Sequence, residues 1–382
     1  MKMRTIHDAE IQGKTVLIRS DLNVPIENGV IQSNQRIVSS LATIQYVLEH
    51  GGKVVLFSHL GRPKAGEYDS KYSLLPVAQD LSRLLCFDVP LAKEYMQGIL
   101  PEGQCVLCEN IRFVKGEVEN SVEIAQQLAR LGDIFVMDAF GTAHRSHAST
   151  VGITSFLPSY AGILVEEEVQ ALTKAIESVE KPSLAIIGGS KVSSKLEVLG
   201  HLSHRMDKII VGGGIANTFL AAAGYAIGKS LYEPDLIEEA KKIMKHTEIL
   251  LPKDVGVVKE INEASIVLYK GIDSLEEDDI IVDVGMLTSA YYADMIETAS
   301  TIVWNGPVGI FEIASMSYGT EALCRAIADS RAYSLAGGGD TISAIEKFGI
   351  AEYVSYISTG GGAFLEYIEG KQLPALAVLE CR

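Results

Sequence analysis

The chain has 382 residues, 47% of them hydrophobic and 21% charged, and 33 basic against 49 acidic side chains leave a net charge of −16. That length exceeds one ordinary core and predicts two domains, and the composition is that of a folded globular protein. So acidic a body has no overall field for nucleic acid or an anionic membrane, and any anion site must be a local basic cup. No stretch is long and apolar enough to span a bilayer, and no apolar leader follows Met1-Lys2-Met3-Arg4, so a cytoplasmic location is expected.

The first predicted strand is the β-branched run Thr15-Val16-Leu17-Ile18. Ile37, Leu41, Ile44 and Leu48 then recur at helical spacing, Gly51-Gly52 closes that helix, and Val54-Val55-Leu56-Phe57 reads as a continuous apolar strand. Further strands fall at Val106-Leu107 and Ile134-Phe135-Val136-Met137. Continuous apolar strands alternating with helices predict an α/β fold with parallel sheets covered on both faces. Cys105 and Cys108 have the spacing of a redox or zinc pair, but they sit inside a strand and no second pair exists. Reduced core cysteines are the expectation.

A helix-prone acidic stretch, Val165 to Leu172, leads to Pro182 and a fresh strand at Leu184-Ala185-Ile186-Ile187, and the domain division is placed there. The stretch lacks glycine and serine runs, so the linker is read as a helix. The second half repeats the alternation with strands at Lys208 to Val211, Thr301 to Trp304, Tyr333 to Leu335 and Val354 to Ile357. The acidic run Glu276-Glu277-Asp278-Asp279 reads as a solvated loop or helix start.

The two halves end their strands differently. In open α/β sheets ligands bind outside the carboxyl ends of the strands. In the first half those ends deliver Asp21 and Asn23, His59 and Arg62, Arg112, then His144 and Arg145, with Arg36 at the start of the first helix placed to reach the same space. Arginine forks match phosphate and carboxylate oxygens, so this half predicts a site for a small anion. His144 and His147 have a metal-like spacing, yet Arg145 between them disfavours a cation, and phosphate contact or loop bracing is preferred.

In the second half the strands run into glycine triplets, Gly212-Gly213-Gly214, Gly337-Gly338-Gly339 and Gly360-Gly361-Gly362. Glycines there let backbone amides approach a phosphate. Gly188-Gly189-Ser190-Lys191 adds Lys191 and, four residues on, Lys195, both on one face if a helix starts there. Asp340, after the second triplet, is suited to a magnesium ion that bridges phosphates. A nucleotide is therefore expected. Ala223 to Ser230 nearly spells a Walker A loop but lacks its first glycine and a preceding strand, so it is set aside. The turn after Val211 lacks dinucleotide-type glycine spacing, which weakens a dehydrogenase.

The runs Asp21-Leu22-Asn23-Val24-Pro25, Ser58-His59-Leu60-Gly61-Arg62-Pro63, Glu109-Asn110-Ile111-Arg112-Phe113 and Asp138-Ala139-Phe140-Gly141-Thr142-Ala143-His144-Arg145 resemble those of the phosphoglycerate kinase family. So do Val303-Trp304-Asn305-Gly306-Pro307 and Ser358-Thr359-Gly360-Gly361-Gly362-Ala363. The resemblance implies two Rossmann-like domains joined by a helix and hinge. These would be a phosphoglycerate-binding domain over 1–170, with the tail 366–382 returning to it, and a nucleotide-binding domain over 171–365. It implies a monomer that transfers the acyl phosphate of 1,3-bisphosphoglycerate to Mg-ADP, giving 3-phosphoglycerate and ATP, after hinge closure.

By the same resemblance Asp21, Asn23, His59, Arg62, Arg112 and Arg145 hold the phosphoglycerate, and Arg36 faces its reacting end. Lys195, Gly338, Gly339, Asp340, Thr341 and Glu312 hold the nucleotide, Asp340 ligates magnesium, and Lys191 with Gly360, Gly361 and Gly362 meets the phosphoryl group in flight. Ser194 stands where the family usually has aspartate, and Met286 where it usually has proline. The alternative to an active kinase is a regulatory protein that binds the same ligands without turnover.

Overall fold

In a computed structural model the chain is described from residue 3 to residue 380. It divides into two compact units, one made of the residues up to Gln170 together with those from Gln372 onward, the other of Ala171–Lys371.

The first unit carries β1 (Thr15–Ser20), a two-stranded hairpin of β2 (Ile26–Glu27) and β3 (Val30–Ile31), α1 (Gln35–Glu49), β4 (Lys53–Phe57) and α2 (Leu75–Leu85). Then come β5 (Leu91–Ala92), β6 (Cys105–Cys108), α3 (Val122–Ala129), β7 (Ile134–Asp138), β8 (Ser159–Ala161) and α4 (Ile163–Leu172). The division between the units falls within α4. The sheet is wholly parallel in the order β5-β6-β4-β1-β7-β8. β1, at its centre, is buried along nearly all its length, as expected of a strand covered on both faces. α1 presents Ile37, Ser40, Thr43, Ile44 and Val47 to the core at three- and four-residue spacing. Cys105 and Cys108 are free thiols buried in β6.

The second unit holds β9 (Ser183–Gly188), α5 (Leu196–Ser203), β10 (Lys208–Gly212), α6 (Gly213–Ala222), α7 (Ile237–Ile243) and β11 (Glu248–Leu250). These are followed by β12 (Asp254–Val258), β13 (Leu268–Gly271), β14 (Ile280–Val284), α8 (Met286–Thr298), β15 (Thr301–Asn305) and α9 (Tyr318–Asp329). The unit ends with β16 (Tyr333–Gly337), α10 (Gly339–Phe348), β17 (Tyr356–Ser358) and α11 (Gly362–Ile368). Its main sheet is also parallel, in the order β11-β10-β9-β15-β16-β17, and packs on a core that includes Ile186, Ile210, Trp304, Phe311 and Leu323. β12, β13 and β14 form a separate antiparallel sheet that the sequence alternation does not predict.

Three sequence expectations change. The returning tail does not start at 366, because residues 366–371 stay with the second unit. There His201 on α5 donates from Nδ1 to the Ile368 carbonyl at 2.7 Å, and Lys371 pairs with Glu197. β17 begins at Tyr356, two residues after the expected start. Lys191 and Lys195 do not share a helix face, since they flank a short 3-10 turn (Val192–Ser194) and α5 begins only at Leu196. The acidic run is a solvated loop as expected at Glu276 to Asp278, which are exposed, while Asp279 is buried, accepts the Glu276 amide at 2.7 Å and pairs with Lys259 and Lys270.

Candidate active site

Register sets the first half-site. In the parallel pairings Ser20 lies beside Asp138, Arg19 beside Phe57, and Leu56 beside Leu107, so β1, β4, β6 and β7 end at one edge of the sheet. Asp21, His59, Arg112 and His144 follow those ends. Arg36, the second residue of α1, joins them by donating to Asp21 Oδ2 at 2.6 Å. Asn23 Oδ1 accepts the Gly61 amide at 2.8 Å, Arg112 donates to the Gly61 carbonyl, and Asn110 donates to the Leu60 carbonyl at 2.8 Å. These bonds stitch the loop of His59 and Arg62 between two neighbouring strand ends. Asp138, in contrast, is spent on the fold: it is buried and its Oδ1 accepts the Leu164 amide at 3.1 Å.

Arg62, Arg112, Arg145 and His147 line a cavity of about 410 Å³. Its electrostatics are those of crowded like charge only partly offset by Glu117. Burial, then Arg145, Arg19 and Arg62, bring the Arg112 guanidinium down to about 10. Burial, then Arg19, Arg112 and Arg145, hold His59 well below the ordinary imidazole range, and burial with the same three arginines brings His147 down to about 4. Both imidazoles are therefore neutral near pH 7 while the arginines are charged, an arrangement relieved by a multiply charged anion. His147 also braces its loop, accepting from the Val151 amide through its carbonyl at 2.9 Å. Among the described residues, the one group with metal-like geometry is Glu276, Asp278 and Asp279, which lysines already occupy.

The second half-site is built the same way from different chemistry. Gly212 lies beside Gly188, Asn305 beside Ile187, Trp304 beside Ala336, and Gly337 beside Ser358, so all three glycine triplets gather at one sheet edge. The backbones there pass too close for side chains: a Cβ on Gly213, whose φ is +63°, would stand 2.7 Å from the Gly189 carbonyl oxygen. Gly338, with φ +99°, leads into α10. Asn305 ties the edge together. It accepts from Lys195 Nζ and donates to the Gly337 carbonyl at 2.6 Å. Burial lowers the Lys195 ammonium from its ordinary value, opposed by Asp340 and Glu369. Thr341 is buried, accepts the Gly306 amide at 2.7 Å and donates to the Gly337 carbonyl at 2.9 Å, so its hydroxyl is used within the turn.

A cavity of about 560 Å³ beside this edge is lined by Gly213, Gly214, Asn217, Lys229, Glu312 and Asp340, among others. Lys191, Lys195 and Gly360 to Gly362 are outside that lining. Asp340 is exposed and its carboxylate makes no hydrogen bond or salt bridge among the described residues, which suits a hard cation that keeps water and takes phosphate oxygens. Lys229 belongs to the set-aside Walker-like run, and its loop is held by a 2.8 Å bond from its amide to the Asp279 carbonyl. The sequence pattern does not mark Asn305 or Lys229 as site residues. The only local signal for either was its place next to glycine. Ser194 is exposed and donates to the Lys191 carbonyl at 2.7 Å, while Met286 is the exposed first residue of α8, whose N-terminal amides at Leu287 and Thr288 are capped by Asp254.

An arginine-lined anion cup on one parallel sheet and a glycine-lined cradle on another define a class, the α/β proteins that hold phosphorylated ligands at strand ends. Comparison narrows it. Residues 6–371 match the family model of phosphoglycerate kinase. The structure of phosphoglycerate kinase from Coxiella burnetii aligns with 48% identity and a TM-score of 0.95 over 99% of both chains. That from Pyrococcus horikoshii OT3 aligns with 34% identity and a TM-score of 0.82 over 99% of this chain and 98% of its own. The chain belongs to the phosphoglycerate kinase family. It is accordingly a kinase, a nucleotide-using transferase of glycolysis with the two-domain α/β fold of that family. Among the described residues no helix is long and apolar enough to cross a membrane.

Proposed function

We propose that the chain transfers the acyl phosphate of 1,3-bisphosphoglycerate to Mg-ADP, giving 3-phosphoglycerate and ATP, and runs the reverse reaction. An oxygen of the ADP terminal phosphate bonds to the acyl phosphorus as the bond to the carboxyl oxygen breaks, and a carboxylate leaves. No proton moves, so neither a general base nor a covalent nucleophile is required, and catalysis rests on positioning and charge.

Asp21, Asn23, His59, Arg62, Arg112 and Arg145 hold the phosphoglycerate, and Arg36 faces the reacting end. Lys195, Glu312 and the Gly338-to-Thr341 turn hold the nucleotide, with Glu312 on its ribose. Lys191 and the Gly360-to-Gly362 amides receive the charge of the phosphoryl group in transit. Asp340 would ligate magnesium, which when bound offsets phosphate charge. Each ligand is held by one unit, and hinge closure brings them together and excludes water from the acyl phosphate. The protein works as a cytoplasmic monomer.

The observation that carries this reading is the pile-up of arginine charge at the first half-site, with Arg112 brought down to about 10 by burial and by its cationic neighbours. A coupled assay of ATP formation from ADP and 1,3-bisphosphoglycerate tests it. Turnover that needs both substrates and magnesium supports the reading. Binding of both ligands without turnover overturns it in favour of a regulatory binding protein.

A further inference from the structure

Arg19 is an anomaly of the first unit. It lies within β1, the central strand, and only 1% of it is exposed. Every polar atom of its guanidinium is engaged inside the protein. Nε donates to Ser149 Oγ at 3.0 Å, one terminal nitrogen donates to the Ser20 carbonyl at 2.6 Å, and the other meets His59 Nδ1 at 3.2 Å. Behind it lies a buried carboxylate: Ser149 donates through its hydroxyl to Glu117 Oε1 at 2.6 Å and through its amide to Oε2 at 3.0 Å. A continuous chain of hydrogen bonds thus runs from Glu117 through Ser149 and Arg19 to His59.

The contact with His59 has one possible polarity. A guanidinium carries five donors and no acceptor, so His59 Nδ1 must accept. A ring that accepts at Nδ1 is neutral and holds its single proton on Nε2. Burial already keeps His59 well below the ordinary imidazole range, and the Arg19 charge pushes in the same direction. An anion needs a donor facing it, and a bare nitrogen there would repel it.

From this geometry we infer that Arg19 is a positioning residue: it fixes His59 as the Nε2–H tautomer, so that the ring offers a donor to the phosphoglycerate. Arg19 itself touches no ligand. The inference rests on the reading of His59 as a phosphoglycerate ligand, and the Glu117–Ser149 pair keeps the guanidinium in place.

The test uses the full chain with 15N-labelled histidine, without ligand, at pH 7. Long-range 1H–15N spectra separate a protonated ring nitrogen from a bare one, and His59→Ala identifies the His59 signals by their loss. The wild-type ring is expected to be protonated on Nε2 and bare on Nδ1. Arg19→Met is expected to populate both tautomers, and Arg19→Lys to restore the wild-type pattern. Should Arg19→Met not fold, because Glu117 loses its counter-charge, the double variant Arg19→Met with Glu117→Gln removes that charge. Protonation of the wild-type ring on Nδ1, or an unchanged ring in the Met variants, overturns the inference.

Calorimetric titration separates this from the ligand reading. Losing one charge-assisted donor to the anion should weaken 3-phosphoglycerate binding about tenfold in Arg19→Met, with ADP binding unchanged. If the tautomer shifts as expected but both Arg19→Met and His59→Ala bind 3-phosphoglycerate like wild type, His59 is no ligand. The hold of Arg19 on the ring then survives, and its role in substrate recognition falls.

Discussion

Adding one methyl group at Gly338 tests the second half-site where its parts are most tightly interlocked. The residue has φ +99° and ψ 146°, a region that side-chain-bearing residues avoid, and a Cβ built there meets Asn305 Nδ2 in hard contact. Asn305 has to move, and with it go its bond to the Gly337 carbonyl and its hold on Lys195. Backbone strain of about 1–3 kcal/mol and a lost hydrogen bond of about 1 kcal/mol give roughly 2–4 kcal/mol of destabilisation for Gly338→Ala. For a unit of this size that corresponds to a fall in Tm of roughly 5–15 °C. If Lys195 holds the nucleotide as proposed, releasing it removes a charge-assisted contact, so ADP binding should weaken roughly 10- to 100-fold. Scanning calorimetry reads the first effect, and isothermal titration with ADP and separately with 3-phosphoglycerate reads the second. The 3-phosphoglycerate affinity should stay at its wild-type value, because the change lies wholly in the second unit. A variant that keeps both wild-type Tm and wild-type ADP affinity refutes the role given to Gly338 and Asn305.

Arg36→Ala removes a partly exposed ion pair with Asp21, so its stability cost should stay within about 1 kcal/mol. If Arg36 faces the reacting end, steady-state kinetics should show kcat down by about 10²- to 10³-fold with the nucleotide KM little changed. His147 makes the first unit sensitive to acid. Its folded value of about 4 lies below the roughly 6.5 of an unfolded imidazole, so between those pH values the unfolded chain binds more protons. The stability it contributes is complete above pH ~6.5 and is lost as pH falls toward 4. Urea titrations across that window should show a shallower decline for His147→Gln than for wild type, and identical slopes would remove His147 from the account.

Much of this protein is local in origin and was legible in the chain. The apolar runs at Thr15 to Ile18 and Val54 to Phe57 became β1 and β4, and the three glycine triplets stand at strand ends, because strand propensity and glycine freedom act over a few neighbouring residues. Given a parallel sheet, even the gathering of Asp21, His59 and Arg112 at one edge follows from each lying just beyond a strand.

Other features depend on which strands become neighbours. Arg19 sits in a six-residue run that names it only as a charged residue among apolar ones, and its burial follows from the packing of β1 between β4 and β7, where Ser149 and His59 supply partners far away in the chain. Asn305 reaches Lys195 across 110 positions, and β12 finds β13 and β14 as antiparallel partners with no periodic signal to announce it. Residue pattern therefore determined the elements and the chemistry at their ends. Tertiary structure decided which of those ends meet and which buried charges are paired, because hydrogen bonds and desolvation depend on distances in space that sequence separation does not encode.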